Sequence, residues 1–443
     1  MLALAVSLLL ASCSSFYKAQ NAPLKAYQEG AAYRTAYFNQ IHDIEENLII
    51  LAFSGGGTRA AALSYGVLQE LSATPYTDDS GTERTLLSDV DFISAVSGGS
   101  FTAAYYGLFG DRIFEDFEKK FLHKSIESAL ISNMLNPLYW VRSLSSGFDR
   151  TEMAIEFYDN TIFDRKTFAD IPLADRPFIV INATDLSQGR RFAFDQDNFD
   201  LLCSDISSFP VSRAVTASSA VPFVFPSVVL ENRAGDCMAK LPKEQRPELS
   251  SDVSNTKQSE YFKAVEKYGD SKKKQYIHLV DGGLTDNLGL RAISDHMDIK
   301  GIDSDPNDEN TVKRVAVILV NSAVKPARSM DTSTDTPPLS ETLEAFTDTL
   351  IQNMSLDTKS YFFDDKGNFK QQISSRDAGI EFFITEVSFE AIEEEASRQL
   401  FNRLPTSLEL EEEQVDAVIA AGRALLRKDA EFIEFKASLK QSP

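Results

Sequence analysis

Short, unbroken apolar runs punctuate this chain, and most end abruptly on glycine or a polar turn. Leu48–Phe53, Val90–Val96, Pro177–Ala183, Tyr276–Val280 and Arg314–Asn321 have the length and composition of strands, and Gly379–Phe389 supplies a last one. The first of them does not alternate apolar with polar residues, which suits a strand covered on both faces. Between the runs the period changes. Leu63, Val67, Leu68 and Leu71 recur at helical spacing, as do Leu339, Leu343, Phe346, Leu350 and Ile351. Phe101–Tyr106 and Val211–Ser219 are helix-compatible, Arg190–Phe194 reads as a shorter strand, and two acidic helices are expected near Glu390–Leu404 and Glu411–Arg427. Strands alternating with helices predict an α/β fold whose central sheet is mostly parallel.

The polar stretches divide the chain. Residues 13–47 read as an N-terminal tether and lead-in, residues 48–325 as the main α/β domain, and residues 326–443 as a C-terminal helical extension packing on it. Asn232–Gln275, rich in Lys, Glu and Ser, reads as a surface insertion with a helix near Ser259–Tyr268. At 443 residues and 43% hydrophobic, the chain can bury a large core. Its net charge of −22 argues against a nucleic-acid partner and against non-specific adsorption to anionic lipid.

Attachment to a membrane has another source. Residues 1–12 form an apolar run too short to span a bilayer, and they end at Leu10-Ala11-Ser12-Cys13. That run resembles a bacterial lipoprotein signal, although no Lys or Arg precedes it, and implies lipidation of Cys13 after cleavage. The expected location is the bacterial cell envelope, with a lipid anchor in the outer membrane of a Gram-negative cell. An exported protein also permits a disulfide between Cys203 and Cys237, while two free buried thiols fit the sequence equally well.

Three runs end in loops suited to chemistry. The run Val90–Val96 delivers Ser97-Gly98-Gly99 before a helix, the arrangement that pushes a serine out of a sheet at a strained turn; Ala95 stands where the usual pattern has glycine. Ser97 is the candidate nucleophile, with helix capping as its plain structural alternative. Leu48–Phe53 leads into Ser54-Gly55-Gly56-Gly57-Thr58-Arg59, whose glycines leave N–H groups open at a helix start, where an oxyanion could bind. A phosphate loop is a poor match, because no Gly-Lys-Ser/Thr ending is present. Tyr276–Val280 delivers Asp281-Gly282-Gly283, an aspartate at a strand end, or simply an Asp-Gly turn. The three loops are expected at one sheet edge.

In this order, SGGGTR, VSGGS and DGG resemble the patatin-like phospholipases, related also to cytosolic phospholipases that use a serine and an aspartate. The resemblance runs from about Leu48 to Asn321, and Thr216–Pro222 and Asp286-Asn287-Leu288 share it. It implies a three-layer α/β/α patatin-like fold and a Ser-Asp dyad, with Ser97 as nucleophile and Asp281 as base. Gly56 and Gly57 would donate to the oxyanion, Gly55 would shape the turn, and Arg59 would support the loop or offset charge. The implied substrate is a membrane phospholipid or lysophospholipid, and no metal or organic cofactor is required. None of the four histidines belongs to a triad-like motif; His278 lies inside its strand, where a packing role is expected. The rival from another class is a lipid-binding lipoprotein scaffold without turnover.

Overall fold

The computed structural model describes residues 18–26, 33–35, 37, 46–78, 81–136, 139, 142, 148–222, 224–237, 266–293, 312–325, 328–363 and 380–439. The strands of its main sheet are β1 (Asn47–Phe53), β2 (Val90–Val96), β3 (Phe178–Asp185), β4 (Arg190–Ala193), β5 (Val228–Glu231), β6 (Tyr276–Asp281), β7 (Arg314–Asn321) and β8 (Glu381–Ser388). The helices used below are α1 (Gly57–Ser72), α2 (Gly98–Phe109), α3 (Ile126–Met134), α4 (Arg150–Thr161), α5 (Val211–Ser218), α6 (Gly283–Asp286), α7 (Leu339–Phe363), α8 (Glu395–Asn402), α9 (Glu412–Lys428) and α10 (Ala430–Leu439).

All eight strands join one sheet in the order β8-β7-β1-β2-β3-β6-β5, with β4 paired to β3. From β8 to β3 every pairing is parallel. Residues of β2, β3 and β7 are buried throughout, as expected of strands covered by helices on both faces. Each of these strands reads as a continuous apolar run because neither face meets water. Two polar residues inside β2 have specific partners. Asp91 accepts from the Ile49 amide at 2.8 Å, where the β1–β2 register shifts and leaves that N–H outside the ladder. Ser94 accepts from the Asn182 side chain on β3 at 3.0 Å.

The parallel order does not extend to the strand that carries Asp281. β6 runs antiparallel to β3, with Asp281 opposite Ala183 and Leu279 opposite Asp185. The strand that delivers Asp281 thus runs opposite to the two that deliver the other loops, within a sheet that is mostly parallel as expected. β3 continues past Asn182, which pairs with Val96, and β6 comes back along that overhang to end level with the tip of β2. Periodicity cannot show strand direction, so this reversal is invisible in the sequence.

Segments outside the family-like region join the same core. Tyr33 is buried, stacks on Phe178 with ring centroids 4.6 Å apart, and donates its hydroxyl to the Ile179 carbonyl at 2.8 Å. β8 adds an edge strand beside β7, α9 packs against α1, and α10 packs against β8. Arg427 of α9 holds Glu70 of α1 through two hydrogen bonds of 2.7 and 2.6 Å. Cys13, Trp140, His42, His296 and most of the expected 259–268 helix lie outside the described residues. No described helix is long and apolar enough to cross a membrane.

Candidate active site

Ser97 occupies the turn between β2 and α2 with φ 49° and ψ −121°. A non-glycine residue there is held against its own preference, at a cost on the order of 1–3 kcal/mol. The surroundings hold it on three sides. Its N–H donates to Ser218 Oγ at 2.8 Å, and its carbonyl accepts from the Ser100 N–H at 3.0 Å and the Ser100 hydroxyl at 2.5 Å. The neighbouring glycine is required by close approach. A Cβ on Gly98 would stand 2.0 Å from the Gly57 carbonyl oxygen, so the serine turn and the glycine loop fit only as a matched pair.

The Ser97 hydroxyl donates to Asp281 Oδ2 at 2.8 Å. Asp281 Oδ1 accepts from the Gly283 N–H at 2.7 Å, which directs the other oxygen at the serine. Both side chains lie in a buried floor, each residue 7% exposed. Burial pushes the Asp281 carboxyl up to about 6, against the pull of the Gly283 and Ser97 hydrogen bonds. A carboxylate so raised is a stronger base than an exposed one.

The third loop folds over Ser97. Gly55 lies against it, a Cβ there standing 3.3 Å from Ser97 Cβ. The Gly55 N–H is not open to a ligand, because it donates to the Asn287 carbonyl at 3.0 Å, and the Thr58 N–H donates to the Ser407 carbonyl at 2.9 Å. Among the described residues the N–H groups of Gly56 and Gly57 have no protein acceptor, and they are the two proposed from sequence as donors. Arg59 turns away from Ser97: it is buried and bonded to the carbonyls of Ser322, Leu404 and Pro405 and to the Thr406 hydroxyl. These bonds tie the start of α1 to residues 322 and 404–406, and the Asp348 carboxylate acts on the charge at longer range.

No described histidine reaches the serine. His123 Nε2 lies 3.0 Å from Asp416 Oδ1, and His278 Nδ1 lies 2.9 Å from Ser227 Oγ. His278 is exposed on β6, so the packing role expected for it is corrected to a surface hydrogen bond. Glu118, His123 and Asp416 bring one donor atom each within 4.8 Å of one another, the first two half-buried and Asp416, on α9, exposed. Cys203 is disulfide-bonded; the side chain of Cys237 lies outside the described residues.

Ser218 and Asn182 frame the site, and sequence reasoning left both without roles. Ser218 ends α5, accepts from the Ser97 N–H, donates to the Asn182 carbonyl at 2.6 Å, and accepts at its own carbonyl from the Gly282 N–H at 3.0 Å. One residue therefore touches the serine turn, the central strand and the aspartate loop. The only signal in the sequence was the family-like Thr216–Pro222 stretch, which carries no chemistry by itself.

A patatin-like phospholipase family model matches residues 51–293. No curated protein matches the chain in sequence. Among solved structures it is similar to human GIVD cytosolic phospholipase A2, with 10% identity, a TM-score of 0.49, and coverage of 90% of this chain and 62% of that one. The same human enzyme in complex with methyl γ-linolenyl fluorophosphonate gives 12% identity, a TM-score of 0.42, and coverage of 90% and 59%. The chain thus spans about three-fifths of the length of those enzymes.

Proposed function

The chain belongs to the patatin-like phospholipase family, and we propose from that premise that it is a serine acyl hydrolase of the phospholipase A or lysophospholipase type, cleaving fatty-acyl esters of membrane lipids through a Ser97–Asp281 dyad. The observation that carries this reading is the direct 2.8 Å hydrogen bond from Ser97 Oγ to Asp281 Oδ2 at the strained turn.

In the proposed reaction Ser97 Oγ attacks the ester carbonyl carbon as its proton passes to Asp281. The carbonyl electron pair moves to oxygen, where the Gly56 and Gly57 N–H groups receive it, each such donor being worth roughly 3–4 kcal/mol elsewhere. Collapse breaks the carbon–oxygen bond to the leaving alcohol, which takes the proton from Asp281 and departs, leaving an acyl-serine. Water then attacks the acyl carbon and gives a proton to Asp281. The second collapse releases the fatty acid and returns the proton to Ser97. Acyl chains covering the buried floor would exclude water, and so strengthen each of these electrostatic contacts.

Fatty-acid release from mixed phospholipid and lysophospholipid tests the reading, using wild type, Ser97→Ala and Asp281→Asn. Both variants are expected to stay folded and to lose activity by about 10⁴-fold or more, as removal of a nucleophile or its base does elsewhere. An inert wild type that still binds lipid would favour the scaffold.

We further propose that Cys13 is the lipidated N-terminus and anchors the enzyme in the outer membrane of a Gram-negative cell. Cys13→Ala is expected to move the protein from membrane fractions into the soluble fraction; unchanged partitioning would reject the anchor.

A further inference from the structure

Arg59 is 3% exposed, and among the described residues no carboxylate pairs with it. Its guanidinium donates to neutral groups, with the Asp348 carboxylate acting on it only at longer range: Nε donates to the Ser322 carbonyl at 2.9 Å, Nη1 to the carbonyls of Leu404 at 2.7 Å and Pro405 at 2.9 Å, and Nη2 to Thr406 Oγ1 at 3.1 Å. Burying a cation with no carboxylate in direct contact is expensive, so the arrangement calls for a use beyond stability. Three of the four partners lie on one turn, between α8 and α9, far along the chain and outside the family-matched residues 51–293.

The same turn touches the glycine loop directly. The Thr58 N–H donates to the Ser407 carbonyl at 2.9 Å, and a Cβ on Gly57 would stand 2.2 Å from that oxygen. The turn is itself fastened, since the Glu409 carboxylate accepts from the Ser128 N–H at 3.0 Å on α3, and α9 then packs along α1. From the other side Ser322 Oγ donates to the Gly55 carbonyl at 2.8 Å. The loop Ser54–Arg59 thus lies between the end of β7 and the turn.

We propose that the turn Leu404–Ser407, gripped by the buried Arg59, is a positioning element that holds the Gly56 and Gly57 N–H groups in oxyanion-binding geometry. This rests on the hydrolase reading above. Arg59 then acts through the loop and not on the substrate. A lysine could not replace it, because one ammonium cannot reach four acceptors arranged for a planar fork.

The test uses full-length Arg59→Lys and Thr406→Val, assayed on a neutral soluble ester and on phosphatidylcholine micelles, with amide hydrogen exchange of residues 54–60. Arg59→Lys is expected to lower kcat by the same factor on both substrates, about 10–100-fold, with KM unchanged, as misplaced groups do elsewhere. Exchange at the Thr58 amide is expected to rise about tenfold. Thr406→Val, which removes one acceptor of four, should shift both readouts in the same direction by less. A loss confined to the phospholipid, or carried by KM, would overturn the proposal by showing that Arg59 meets the head group. Unchanged exchange in both variants would also overturn it. If wild type hydrolyses neither ester, the hydrolase reading fails, and the exchange result still decides whether the turn holds the loop.

Discussion

Ser218 holds Ser97 from behind: the Ser97 N–H donates to Ser218 Oγ at 2.8 Å, while the Ser218 hydroxyl donates to the Asn182 carbonyl at 2.6 Å. The Ser97 amide is thereby occupied and is not free to donate to a bound ligand. Ser218→Ala would strand a buried N–H beside a residue already in strained backbone. We expect a stability loss of about 1–3 kcal/mol and a kcat reduction of about 10–100-fold. Ser218→Thr, which keeps the hydroxyl, should recover most of both. Thermal melting and the rate of fluorophosphonate labelling check the pair; an alanine variant labelled at the wild-type rate would remove Ser218 from the positioning role.

The acid limb of the rate profile should follow Asp281. Its carboxyl is raised to about 6 by burial, and the base must be ionised to take the Ser97 proton. kcat/KM is therefore expected to rise about tenfold per pH unit below that value and to level off above it. Asp286, buried nearby and also raised to about 6 by burial, is the competing source of such a limb. Asp286→Asn should leave the limb where it is, and a limb that vanishes in that variant would reassign it.

Stability should move the opposite way. A carboxyl whose folded pKa lies above its unfolded one, near 3.9, favours the folded state at low pH, and that advantage is lost as pH rises through the folded value. At pH 7.5 the buried Asp281 charge therefore costs stability. Asp281→Asn should be more stable than wild type by about 1–3 kcal/mol at pH 7.5, and no more stable at pH 4. Urea unfolding at the two pH values measures the difference, and equal gains at both would show that ionisation is not the cause.

A second buried pair sets α5 in place. Arg213 Nη1 and Nη2 meet the two oxygens of Glu152 on α4 at 2.9 and 2.6 Å, with side chains 2% and 5% exposed. Removing one partner leaves a buried charge, so Glu152→Ala should cost about 3–5 kcal/mol. Because α5 ends at Ser218, the surviving folded fraction should also label more slowly with fluorophosphonate. Replacing both partners with apolar residues of similar volume should restore much of the stability without the single variant's loss, as read by urea midpoint.

Much of the site was legible because its constraints are local. Glycines at 55–57 and 98–99, and a serine after a buried strand, announce tight turns through residue types that tolerate few alternatives. For Arg59 the sequence leaves loop support and charge offset open, and its carbonyl partners at residues 322, 404 and 405 come from distant segments that no local pattern encodes. His278 was expected inside its strand's packing, yet β6 has one open face there and the ring meets Ser227 at the surface.

By itself the sequence determined the strand and helix periods, the three glycine-bearing loops and the identity of the residues at their tips, since these depend on neighbours along the chain. Tertiary structure alone decided that β6 returns antiparallel along β3 to bring Asp281 to Ser97, that Ser218 braces the nucleophile, and that Leu404–Ser407 closes on the glycine loop. Those contacts join residues 94 to 349 positions apart, and no local preference encodes which distant backbone will satisfy a given N–H.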